Sequence, residues 1–253
     1  MTETARHGES IGRRTPYSKD GTLFAHKTIL MGSHEPHPMA PNAFLVEQEP
    51  NTELPVHFHG YGQFQIFVKG SGKLGHHALR APMVHYAGQR CAYGPIKAGE
   101  TGLSYLTLRA ATEGAAFYMP QSRHLRDPNI PRFERSAYGE TSTYSESSVQ
   151  SLLSEDTPGL GAWLASVTNG QTVVAPELGN GSGRFYVVLK GQWKREQESL
   201  EALDIVWAAP SEAPLELTAG DGGLVVMVVQ LPVNACEHPH PAPDRPQNTK
   251  IGG

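Results

Sequence analysis

Two stretches of this chain repeat each other at one fixed spacing. GQFQIFVKG at 62–70 matches GRFYVVLKG at 183–191, and AGETGLSYLTL at 98–108 matches AGDGGLVVMVV at 219–229, both pairs 121 residues apart. Lys73 meets Lys194 and Leu79 meets Leu200 at the same spacing. An ungapped repeat of this length divides the chain into two modules of one design. The repeated segments alternate apolar and polar residues, the pattern of half-buried β-strands. The 253 residues accommodate two such modules, and 27 glycines and 20 prolines suit many short strands joined by turns.

The first copy carries groups that the second lacks. It lies in the stretch Leu54 to Gly72, LPVHFHGYGQFQIFVKGSG. His57 and His59 stand two apart, so a strand presents both imidazoles on one face. Gln63, Gln65 and Phe67 continue that parity, while Phe58, Phe64, Ile66 and Val68 take the other. Gly60-Tyr61-Gly62 and Gly70-Ser71-Gly72 are turn signals. The stretch is therefore predicted to form two short strands joined by a tight turn, one face polar and the other apolar. At the 121-residue spacing, His57, His59, Gln63 and His85 meet Leu178, Asn180, Arg184 and Val206. The second module is expected to bind no metal, to pack against the first and to close its mouth.

The first copy resembles the first signature of the cupin superfamily: His-x-His, three or four residues, Glu, six residues, Gly. Here it reads His57-x-His59, three residues, Gln63, six residues, Gly70, with Pro55 just before the histidines. Gly88, Pro95 and Gly99 resemble the second signature in stretched form, and its histidine position falls on Gly102. The resemblance implies an all-β fold of two tandem antiparallel jelly-roll (cupin) barrels, the second degenerate. The expected units are an N-terminal arm and first strand over 1–40, a metal-binding module over 41–119, a linker over 120–159 with a short helix near 147–154, a second module over 160–232, and a flexible tail over 233–253.

What the resemblance implies about chemistry falls on a few residues. His57, His59 and Gln63 are expected to hold a divalent metal. Fe(II) is the first choice, and Zn, Mn, Ni and Cu also suit imidazole and carbonyl donors. A neutral Gln in place of Glu leaves the metal more positive, which favours Lewis-acid work as much as oxygen activation. His85 is a candidate replacement ligand, base or substrate contact. Tyr93, just before the Gly94-Pro95 turn, is a candidate catalytic phenol. Gln65 and Phe67 are expected to line the substrate cavity. The expected function is a metal-dependent enzyme acting on a small carbonyl- or enol-bearing metabolite, with a dioxygenase first. A lyase, isomerase or cyclase is the alternative chemistry, and a barrel that binds a small molecule without turnover is the alternative of another class. Against these stand plainer readings of single residues: Gln63 as a hydrogen-bonding core residue, Tyr93 as packing, His34 and His37 as solvated loop, and Arg123, Arg126, Arg132 and Arg135 as solvated linker.

Composition trims the rest. A net charge of −4 gives no reason to expect nucleic acid or an anionic membrane as partner. No apolar run approaches the ~20 residues of a membrane span. Arg13-Arg14 has no apolar segment behind it, so it is not read as an export signal. Two cysteines, Cys91 and Cys236, make no disulfide framework, and a cytoplasmic location is expected. Cys236, His238 and His240 are expected to lie in an extended tail rather than a metal clip. A homodimer is expected only because cupins commonly form one.

Overall fold

The computed structural model describes residues 1–19, 21–33, 37, 40–113, 116–127, 129–130, 132–140, 146–154 and 157–233. His34 and the Cys236-His238-His240 cluster lie outside them. The described chain forms two large antiparallel sheets, each wrapped into a jelly-roll barrel. The first runs in the order Glu134–Tyr138, Met83–Ala87, Gln63–Leu74, Ile96–Arg109, Asn42–Gln48, Thr22–Met31, Arg14–Lys19. The second runs Thr2–Ala5, Ile205–Ala208, Gly181–Arg195, Glu216–Pro232, Gly161–Val167, Ser148–Leu153.

The sequence repeat is a repeat of strand pairing. Gln63–Leu74 and Ile96–Arg109 pair in the first barrel as Gly181–Arg195 and Glu216–Pro232 pair in the second. One backbone detail recurs with them. Gly70 and Gly191 both have positive φ, +80° and +79°. A Cβ there would fall 2.2 and 2.0 Å from the carbonyl oxygens of Gly102 and Gly223, so neither position tolerates a side chain.

Pairing also corrects the alignment upstream of these strands. Leu106 faces Leu45, and its counterpart Met227 faces Leu164. Ile96 faces Leu54, and its counterpart Leu217 faces Val173. Leu45 and Leu164, like Leu54 and Val173, stand 119 apart rather than 121. The second barrel therefore holds two extra residues between Val173 and Phe185, and the spacing of 121 holds from Phe64 and Phe185 onward.

The period-two faces sort as read. Phe64, Ile66, Val84, Leu106 and Leu108 meet Phe185, Val187, Ile205, Met227 and Val229 in one core that joins the two barrels. The interior of the second barrel is filled by Trp163, Tyr186, Trp193, Leu200, Val206 and Val228.

The N-terminal arm is held by two strands: Thr2–Ala5 pairs with Ile205–Ala208 of the second barrel, and Arg14–Lys19 pairs with Thr22–Met31 of the first. Polar composition hid these strands because both are edge strands with one solvated side. The linker helix near 147–154 is a strand, Ser148–Leu153, on Gly161–Val167. Glu134–Tyr138 likewise closes the edge of the first sheet. Each barrel is thus completed by a strand from outside its repeat.

Candidate functional site

The first barrel holds a cavity of about 350 Å³. Among its walls are His57, His59, Gln63, Gln65, Tyr93 and Arg109. Thr15, Pro16 and Tyr17 of the arm line it too, with Tyr118. Among the described residues, none of the second barrel lines it, whereas the arm does. A larger open groove, about 660 Å³, follows the seam between the barrels near Val68, Ser166 and Leu189. None of the histidine and glutamine set reaches it, so the chemistry belongs to the smaller cavity.

Backbone pairing places the histidines. His57–Phe58 pairs with Phe117–Tyr118 on one side. On the other, His57 exchanges N–H···O bonds with Tyr93, at 3.2 and 3.0 Å. The His57 ring is held between Tyr93 and Tyr118, with centroid distances of 4.5 and 5.8 Å. Its Nδ1 lies 2.8 Å from the Pro55 carbonyl, an acceptor only, so Nδ1 carries the proton and Nε2 keeps its lone pair. His59 Nδ1 is 2.8 Å from Glu113 Oε2, and the Gly60 N–H donates to Glu113 Oε1 at 2.6 Å.

Arg109 is the centre of the network. It ends the Ile96–Arg109 strand and is 4% exposed. Its Nε donates to Gln63 Oε1 at 2.7 Å. Its Nη2 lies against the His59 ring, 3.1 Å from Nδ1 and 3.2 Å from Nε2, and its Nη1 lies 3.6 Å from Glu113. Gln63 Nε2 donates to the Tyr93 hydroxyl, and Gln65 Nε2 reaches the same oxygen at 3.4 Å. Lys27 completes the wall, its Nζ 3.8 Å over the Phe44 ring.

Burial dominates the electrostatics. It lowers His57 to about 3, with the neighbouring His59 adding to the shift. It also lowers His59, reinforced by Arg109. Both imidazoles are neutral at physiological pH. Burial raises the Tyr93 phenol above its ordinary value. Burial alone would raise Glu113, but His59 and Arg109 overcome it and hold the carboxylate ionised. Lys27 falls to about 8, through burial and then the charge of Arg109.

The expected metal set does not fit a divalent ion as arranged. The Gln63 carbonyl oxygen is engaged by the Arg109 guanidinium, and the same guanidinium lies against the His59 ring. Of the three, Gln63 has its donor oxygen taken, and the positive charge beside His59 opposes a second cation there. Among the described residues, no group of three or more His, Cys, Asp or Glu is placed to hold a metal.

Tyr93 lines the cavity as expected, and so does Gln65. Phe67 does not: it packs on Tyr105 at 5.3 Å in the core beneath. It shares the histidine parity but lies deeper along the strand, opposite Met83 and Tyr105. His85 also stands behind the wall, 5.5 Å from the Tyr93 ring, with Nδ1 on Ser136 Oγ at 2.8 Å. Burial lowers it to about 3. The residues that sequence reasoning missed are Arg109, Glu113 and Lys27. Arg109 had a signal, since it shares the inward parity of Tyr105 and Thr107. Glu113 follows the strand's end and had none.

Two tandem antiparallel jelly-roll barrels around a His-x-His strand make the cupin fold. Solved structures share it at low identity. An oxalate decarboxylase–formate complex from Lactobacillus farciminis superposes with a TM-score of 0.56 at 11% identity, covering 88% of this chain and 86% of that one. GK1651 from Geobacillus kaustophilus gives 0.61 at 14% identity, over 95% of this chain and 97% of that one. The pirin YhhW from Escherichia coli, solved with nickel(II), gives 0.55 at 11% identity, over 92% and 100%. No family model matches the sequence, and no curated protein does. Among the described residues, no helix is long and apolar enough to cross a membrane.

Proposed function

We propose that the first barrel binds a small carbonyl- or enol-bearing carboxylate and moves a proton on it, as an isomerase, lyase or cyclase does. The observation that carries this reading is the buried guanidinium of Arg109 in the cavity wall, with Lys27 beside it. Among the described residues Glu113 is the one acidic residue in that wall, facing both Arg109 and Lys27. A bound organic anion restores the balance in a site where burial makes an uncompensated charge costly.

Each role follows from an atom already placed. Arg109 supports negative charge developing on a carbonyl or enolate oxygen, the part a Lewis-acid metal takes elsewhere. His57 Nε2 is the base, because Nδ1–H is fixed on Pro55. Tyr93 accepts from two amides, which leaves its own proton for the ligand. Glu113 orients His59 and holds Arg109 in place. The test is exchange of α-protons into D2O across a panel of 2-oxo acids, followed by NMR. Exchange that is lost in His57→Gln is expected. No exchange on any acid, together with unchanged ligand binding in Arg109→Met, overturns the reading.

A metal-dependent dioxygenase remains the second reading. It is favoured by the anchoring of both Nδ1 atoms, which is how ligating histidines are commonly oriented. It requires Arg109 to leave Gln63 and His59. Stoichiometric metal in protein purified without chelator, lost in a His57→Ala/His59→Ala variant, would establish it over the first.

A further inference from the structure

Lys27 is a group that the proton-transfer reading leaves without a chemical role. It lies on Thr22–Met31, whose Ala25 also lines the cavity, so the strand parity turns both side chains inward. Its Nζ sits 3.8 Å over Phe44, and the Arg109 guanidinium lies over the same ring at 5.5 Å. No carboxylate among the described residues is within ion-pair reach of Lys27. Glu113 is committed to His59, Gly60 and Arg109. A lysine on an aromatic face with a second cation as neighbour is in the setting that makes an amine nucleophilic.

We propose that Lys27 is the nucleophile of this cavity and forms an imine with the carbonyl carbon of an aldehyde or 2-oxo acid. The inference rests on the carbonyl-bearing substrate of the preceding reading. The cavity suits it: Tyr17, Phe24, Phe44, Tyr105 and Tyr118 supply an apolar wall for the body of the ligand, and Arg109 is available to its carboxylate. The step balances without a redox partner. The neutral amine adds to the carbonyl carbon, and the carbonyl π pair moves to oxygen. The oxygen then departs as water with both amine hydrogens. One proton from solvent then converts the neutral imine to an iminium, which places a positive charge at this position. The lowered basicity of Lys27 supports this, since burial and Arg109 both favour the free amine. An iminium also withdraws electrons from the adjacent carbon, which assists removal of its proton by His57.

Trapping tests the inference directly. The full chain is incubated with cyanoborohydride and either pyruvate or phenylpyruvate, and adducts are located by intact mass and peptide mapping. The expected result is a single fast adduct on Lys27, formed roughly tenfold faster than on the exposed Lys69 and Lys97, as an activated lysine requires. Lys27→Arg keeps the charge and is expected to lose that adduct while the two exposed lysines react as before. Labelling of Lys27 no faster than Lys69 or Lys97 overturns the inference. Weakened probe binding in Lys27→Met without any adduct on the wild type also overturns it and makes Lys27 a carboxylate clamp. The readout needs no turnover. Failed trapping with intact proton exchange therefore removes the imine alone, and trapping without exchange removes the preceding reading alone.

Discussion

The two barrels share a frame and differ in what they put inside it. The first encloses histidines, glutamines, Arg109 and Tyr93 around a cavity; the second encloses Trp163, Tyr186, Trp193 and Val228. At the Gln63 position the second barrel has Arg184, also 4% exposed, paired with Glu177 and with the Glu212 carbonyl. Its partner Glu177 is 49% exposed, whereas Glu113 is 9% exposed. The same frame tolerates an aromatic filling or a polar one. A polar filling requires every donor to be matched inside the barrel, and what remains unmatched is where a ligand can act.

Truncation separates a filled barrel from a hollow one most strongly. Trp193→Ala is expected to destabilise the protein by about 3–5 kcal/mol, because a large, fully buried side chain leaves a void. Urea unfolding measures it, and ligand binding in the first barrel should survive in the folded fraction. A loss below ~1 kcal/mol would mean the second barrel is not the packed one.

The two buried arginines give the next contrast. Arg109→Met strands the buried Glu113 and is expected to cost about 3 kcal/mol, much of it restored in Arg109→Met/Glu113→Gln. Arg184→Met leaves a half-exposed Glu177 and should cost less. Equal losses in the two single variants would erase the electrostatic distinction between the barrels.

Acid should act on the first barrel alone. His57 and His85 titrate near 3 in the folded protein, against 6.5 for an ordinary histidine. Between those values the unfolded chain binds more protons than the folded one. Stability from these groups is therefore fully present above about 6.5 and is lost as pH falls toward 3. Residues 160–232 contain no histidine. Hydrogen exchange at pH 4 to 5 should open Gln63–Leu74 before Gly181–Arg195; simultaneous opening would show one cooperative unit instead.

The smallest effect is expected at the mouth. Tyr17 is 47% exposed and hydrogen-bonds Tyr118 across the cavity entrance. Tyr17→Phe should change stability by no more than ~0.5 kcal/mol and speed ligand association, measured by stopped flow. An unchanged association rate would mean that this contact does not gate the cavity.

Much of this protein was legible in one dimension. The repeat, the strand periods, the inward parity of His57, His59, Gln63 and Gln65, and the apolar faces that join the barrels all follow from alternation, which is local. Tyr93 was placed because it precedes a turn. The arm strands and Ser148–Leu153 escape a sequence reading because edge strands carry weak periodicity, and Thr2–Ala5 also takes its partner from the other end of the chain. Phe67 had the right parity and the wrong depth, which parity cannot encode.

What only the tertiary structure decided is which donors remain free. The sequence determined that two imidazoles and two carboxamides face one interior. It could not determine that Arg109 reaches back to Gln63 and His59, that Glu113 crosses from 54 residues away to hold His59, or that no carboxylate among the described residues pairs with Lys27. Hydrogen-bond satisfaction is a property of the closed barrel. Whether a buried side chain is a ligand, a base or a neutralised partner depends on every group that surrounds it after the chain has closed.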